Sequence, residues 1–128
     1  MTDKVAEWLT RAQADLTAAE LLLKFDEYPT AILAFHCQQV VEKSLKAFLT
    51  ARRISFLFRH DLAYLLDLCS EGDPSFGELE PQISGLTPYA VEGRYPTDLP
   101  LEPNKDETRI FYRQAQTVFE FVKRKLKV

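Results

Sequence analysis

The sequence predicts an all-α protein: an up-and-down helical bundle of four to five helices in one domain spanning residues 1–128. Three observations lead there. Apolar residues recur at three- and four-residue steps through three long stretches, no stretch sustains the period-two alternation of a half-buried strand, and no Asn-Gly or Asp-Gly pair marks a hairpin. At 128 residues the chain is the length of about one domain with one core.

The first helix is predicted over residues 3–25. There Val5, Trp8, Leu9, Ala12, Leu16, Ala19, Leu22 and Leu23 form one apolar stripe, with Thr2 or Asp3 as its cap. Pro29 ends that run, because the residue before a proline avoids helical geometry, and it suits the first turn of the next helix. From Pro29 or Thr30 to about Arg53 there is no Gly or Pro, and apolar residues lie on more than one face. A helix apolar over most of its circumference has neighbours on most sides, so this one is expected at the centre.

"RISFLFRHD" interrupts the helical pattern, and "HDLAYLLDLCSE" resumes it on a shorter helix with His60 or Asp61 near its start. "GDPSFGELEPQISGLTP" reads as a short helix with Asp73 as N-cap and Pro74 at the first position, ending near Gly85 or Pro88. Residues 93–103 hold three prolines and read as a loop. Asn104 with Glu107 gives a capping pattern for a last helix, in which Ile110, Phe111, Ala115, Val118, Phe119, Val122 and Leu126 are expected to be buried. Lys123, Arg124, Lys125 and Lys127 suit the negative pole of that helix dipole.

Hydrophobic residues at 46% and charged residues at 27% match an ordinary globular chain and argue against disorder, collagen or coiled coil. No run reaches the roughly 18 apolar residues that span a bilayer, and the N-terminus lacks a secretion-signal layout, so a cytoplasmic protein without membrane contact is expected. Cys37 and Cys69 lack CxxC spacing and sit among apolar residues, as buried free thiols do. Two histidines without a cysteine pair give no zinc pattern, and no glycine-rich phosphate loop is present. Neither a metal nor another cofactor is therefore expected.

Net charge is −3, unevenly spread: residues 1–28 carry −3 and 61–103 carry −8, while 29–60 and 104–128 each carry +4. The two basic segments either coat solvated helix faces or combine into a patch for a phosphate-bearing ligand. Within the second helix, His36, Gln39 and Lys43 share one stripe, and Gln38 and Glu42 lie on the next. Two readings stay open. Neighbouring helices or a partner chain satisfy these groups, or they form a polar seam facing a cleft where Lys43 or Lys46 meets an anion.

"AFHCQQVVEKSLKAFL", "RHDLAYLL" and "YAVEGRYP" resemble the HEPN domain family over nearly the whole chain. The resemblance implies a helical bundle, a homodimer, association with nucleotides or RNA, and a minimal nucleotidyltransferase as partner in a toxin–antitoxin type pair. It also implies, for members that cleave RNA, a metal-independent motif of Arg, four to six residues and His on the last core helix. No histidine follows His60, so the last helix lacks that motif. Only Arg53 and His60 have the spacing, with Ile54 where the family carries a polar residue.

The expected ligand-binding set is Lys43, Lys46, Arg94, Tyr95 and His60. Arg94 offers a planar fork to phosphate and Tyr95 a ring to a base. Against this non-enzymatic binding module stand a ribonuclease toxin using Arg53 and His60, and a purely structural partner subunit. Nothing in the sequence signals DNA.

Overall fold

The computed structural model describes residues 1–90 and 102–128. All regular structure among them is helical: α1 Asp3–Leu22, α2 Thr30–Ala51, α3 Leu62–Gly72, the single turn α4 Glu80–Ile83, and α5 Lys105–Leu126. Two 3-10 segments, Pro74–Leu79 and Ser84–Tyr89, flank α4. Residues 74–89 are thus three short pieces where one helix was expected. Pro81 and Pro88 each lack the N–H that would extend a regular ladder through them.

The helix starts follow their side-chain signals. The Thr2 hydroxyl accepts from the Val5 N–H, Asp61 accepts from the Tyr64 N–H, Asp73 accepts from the Ser75 N–H, and Asn104 and Glu107 form a reciprocal capping box. Asp61, rather than His60, caps α3, which frees the His60 ring for another partner.

The second helix is the centre of the bundle. It packs against α1, α3, α5 and the 3-10 segment Ser84–Tyr89, and Leu33, Val40, Val41, Leu45, Phe48 and Leu49 along it are buried. Phe76 closes one end of the core, 4.3 Å from Phe48 and 5.0 Å from Phe121 between ring centroids. Trp8 of α1 lies near Lys46 while Asp15 lies near His36, so α1 and α2 run antiparallel.

The last helix buries Phe111, Ala115, Val118, Phe119 and Val122. Ile110, expected inside, is 49% exposed. Successive helical residues are about 100° apart around the axis, so with Phe111 aimed at the core its neighbour turns to the rim. The Thr108 hydroxyl donates to the Lys105 carbonyl, so Tyr28 donates its own hydroxyl hydrogen to Thr108 and ties the α1–α2 turn to the start of α5.

The end of α2 is closed by a left-handed residue, Arg53 at φ 58°, with Ile54 N–H bonded back to the Leu49 carbonyl at 2.9 Å and Arg53 N–H to the Thr50 carbonyl at 3.1 Å. The Arg52 guanidinium donates to the Gly72 carbonyl at the far end of α3. The non-helical segment 54–60 then doubles back along α2, since His60 reaches Glu42, well upstream of Arg52. An extended residue advances about 3.3 Å against 1.5 Å for a helical one, so a short segment returns past several turns of α2.

Candidate functional site

Two carboxylates organise the polar groups of α2. Asp15 of α1 takes the first stripe: its oxygens accept from His36 Nδ1 at 2.9 Å and from Lys43 Nζ at 2.6 Å. Burial pushes the Asp15 carboxyl up, but the hydrogen bonds from His36 and Lys43 and their positive charges outweigh that and hold it below the usual aspartate value. Gln39, on the same stripe, donates instead to the side-chain amide oxygen of Gln38, Oε1, at 2.7 Å.

Glu42 takes the second stripe from inside the protein. Its carboxylate, 4% exposed, accepts from Lys46 Nζ at 3.0 Å, from Gln38 Nε2 at 3.2 Å, and from His60 Nδ1 at 3.1 Å to each oxygen. Because a carboxylate only accepts, Nδ1 carries the imidazole hydrogen and Nε2 of the neutral ring is left as an acceptor. Gln38 also donates to the His60 carbonyl at 3.4 Å, so both the ring and the backbone of His60 are anchored on α2.

Lys46 is as buried as its partner, and aromatic rings enclose its ammonium: Trp8, Phe56 and Phe58 have centroids 5.4, 5.8 and 5.6 Å away. Of these rings that of Phe58 is the most open to solvent, at 92% exposure. Tyr28 and Phe56 are half-buried.

Above this pair the groove between α1 and α2 forms a cleft of about 340 Å³ lined by Lys4, Glu7, Trp8, Arg11 and Lys43. Arg11 pairs with Glu7 in an exposed i, i+4 contact at 3.1 Å, an arrangement that contributes little and is readily exchanged for a ligand. Lys4 makes no ion pair among the described residues. The cleft therefore gathers three cations and one carboxylate beside an indole ring.

Of the residues expected to bind ligand, Lys43 lines this cleft while bonded to Asp15, Lys46 lies behind its aromatic wall facing Glu42, and His60 stands half-exposed on the returning segment. Arg94 and Tyr95 lie outside the described residues. Arg53 sits on the turn after α2 and makes no ion pair among the described residues.

Lys4, Trp8 and Arg11 line the cleft, and Asp15 holds its Lys43, although the sequence did not single them out for these places. The signal was present: steps of four, three and four put them on one stripe of α1 that borders the apolar stripe and shares Trp8 with it. Among the described residues no group of three or more His, Cys, Asp or Glu could hold a metal ion, and no helix is long and apolar enough to cross a membrane.

A family of small all-helical domains matches this architecture. The chain belongs to the HEPN domain family, whose pattern it matches over residues 5–125. It is also 31% identical, over 134 aligned positions, to the protein named "Putative toxin MJ1304" of Methanocaldococcus jannaschii, with 94% of this chain and 86% of that protein covered. No solved structure matches it.

Proposed function

We propose that the chain is a HEPN protein of the toxin–antitoxin type, a cytoplasmic homodimer that binds a nucleotide or RNA phosphate and acts beside a minimal nucleotidyltransferase partner. The cleft carries this reading: Lys4, Arg11 and Lys43 surround an indole ring, and among the described residues the only lining carboxylate, that of Glu7, is already engaged by Arg11. Cations beside an aromatic ring suit a ligand that is anionic at one end and planar at the other. The likeness to a protein named as a toxin supports the toxin–antitoxin setting. In this reading Lys43 and His60 belong to the binding face and Lys46 supports it from behind, and Arg94 and Tyr95, outside the described residues, complete the proposed ligand set.

Fluorescence anisotropy with labelled AMP and a labelled short RNA at physiological salt tests the reading. Arg11→Ala and Lys43→Ala should each weaken binding and flatten its dependence on salt by about one phosphate contact. No binding by the wild type sinks the reading.

A second reading rests on the geometry of His60. A ring whose Nδ1 is fixed by a buried carboxylate presents Nε2 as an oriented proton acceptor, the arrangement a general base requires. With Arg53 of a second copy as the cation, the two meeting across the dimer, this is the ribonuclease alternative. RNA cleavage in EDTA by wild type and not by His60→Ala would favour it. Copurification with a nucleotidyltransferase, without any ligand affinity, would instead favour a purely structural subunit.

A further inference from the structure

Gln38, Glu42 and Lys46, three of the five buried polar or charged residues among those described, follow one another at steps of four on α2. The returning segment lies across them. The Phe56 ring centroid is 5.8 Å from the Lys46 ammonium, His60 Nδ1 is 3.1 Å from both Glu42 oxygens, and the His60 carbonyl accepts from Gln38. What this segment covers is therefore a stripe of polar groups rather than apolar core.

Its two ends are fixed and its middle is not embedded. At the root, Ile54 donates its N–H to the Leu49 carbonyl and lies so close over Gly72 that a Cβ there would come 2.9 Å from Ile54 Cδ1. At the far end Asp61 caps α3 and Leu62 is fully buried. Between them no residue from Ser55 to His60 is buried, and Phe56 alone is half-buried. On the side of α3, the Leu57 N–H donates to the Tyr64 hydroxyl at 2.8 Å, and the Arg59 guanidinium lies 4.4 Å from the Tyr64 ring centroid.

Lifting this cover removes little. Glu42 and Lys46 both belong to α2 and keep their 3.0 Å contact when the segment leaves, while water reaches two charges whose burial is itself unfavourable. The apolar surface given up is mainly that of one half-buried ring, Phe56. Local opening costs least where few buried apolar contacts hold a segment, and residues 55–60 meet that condition.

We propose that residues 55–60 form a strap that opens as a unit while the bundle stays folded, and that its opening lengthens the α1–α2 cleft along the Gln38–Glu42–Lys46 stripe. Trp8 is the shared wall, since it lines the closed cleft and stands 5.4 Å from the Lys46 ammonium. The closed strap withholds a further cation, Lys46, from the cleft, and an anion that reaches it selects the open form. The opening itself stands on the contacts just described; its effect on a ligand rests on the anion-binding reading given above.

Lys46, whose side chain is 4% exposed, reports on the strap, and Cys37, fully buried on the same helix, reports on the bundle. The test treats the full chain with N-hydroxysuccinimidyl acetate and with iodoacetamide over a series of urea concentrations and follows each residue by mass spectrometry. Lys46 should be acetylated well below the urea concentration at which Cys37 reacts. Tyr64→Phe removes the hydroxyl that holds the Leu57 N–H and keeps the ring, so it should speed acetylation of Lys46 in native buffer about 2- to 10-fold, the worth of one hydrogen bond. Labelled AMP should bind Tyr64→Phe more tightly by the same factor, because both quantities follow the population of the open form. Acetylation of Lys46 only together with Cys37, across the global transition, overturns the strap, and so does a rate unmoved by Tyr64→Phe. Faster acetylation with AMP affinity unchanged overturns the gating and leaves the cleft reading standing. No AMP binding by wild type removes the cleft reading and the gating with it.

Discussion

Glu42 and His60 are held together across the returning segment, with Nδ1 of the ring 3.1 Å from both carboxylate oxygens. One buried carboxylate thereby fixes the start of α3, neutralises Lys46 and orients a half-exposed imidazole. Removing it has a large expected cost, because Lys46 stays enclosed by rings that cannot replace an anion. Glu42→Leu should destabilise the fold by about 3–5 kcal/mol, the range for stranding one member of a buried ion pair. The double variant Glu42→Leu/Lys46→Met should recover most of that loss. Urea midpoints with unchanged slopes decide it: a single-variant cost under about 1 kcal/mol would show that Lys46 finds water.

Arg53 occupies a left-handed conformation that costs an ordinary residue about 1–2 kcal/mol and glycine almost nothing. Glycine in turn loses more freedom on folding, by about 0.5–1 kcal/mol. Arg53→Gly should therefore leave a net gain of roughly 0.5–1 kcal/mol, and Arg53→Val should lose stability. A paired denaturation series checks both signs. If Arg53→Gly stabilises while weakening RNA binding, the arginine is kept for its charge at the expense of its backbone.

Much of the fold was legible because its signals are local. Thr2, Asp73 and the Asn104–Glu107 box announce helix starts within four residues of themselves, and the all-round apolarity of residues 30–53 announces a central helix. Meetings between distant residues were not legible. Spacing along α2 separates the stripe of His36 and Lys43 from that of Gln38 and Glu42, but cannot say that Asp15 serves the first and His60 the second. That outcome depends on how far segment 54–60 travels back along α2. The cleft cations of α1 were hidden for a related reason: a charged stripe reads as solvated surface until a second helix makes it one wall of a groove.

Asp15 makes stability depend on acid. Its folded-state value lies below the unfolded one, so the folded protein holds the charged form more strongly. The contribution is fully present above about pH 4, the ordinary aspartate value, and is lost as pH falls through the lower folded value. Asp15→Asn should cost about 1–2 kcal/mol at neutral pH, since the amide oxygen keeps only one of the two hydrogen bonds, without the charge, and its NH2 faces the other donor. The gap to wild type should close on titration toward pH 2–3. A constant gap across that range would mean that packing, not charge, is what Asp15 supplies.

The two thiols offer a probe of which helix opens first. Burial pushes both Cys37 and Cys69 up to about 12, with the Asp15 charge adding to the effect at Cys37. At pH 8 the thiolate fraction of either is about one in ten thousand, far below that of an ordinary cysteine. Iodoacetamide should therefore label neither until the chain opens locally, and both at once in concentrated urea. Cys37 belongs to the central helix, facing α1, whereas Cys69 lies on the 11-residue α3 with its Sγ–H against the Leu45 carbonyl at 3.7 Å. A short helix is released by less disruption than a central one, so Cys69 should label first at sub-denaturing urea. Glu42→Leu, by freeing the segment that leads into α3, should speed Cys69 more than Cys37. Equal acceleration at both thiols, followed by mass spectrometry, would mean that the Glu42–His60 contact holds the whole bundle closed and not α3 alone.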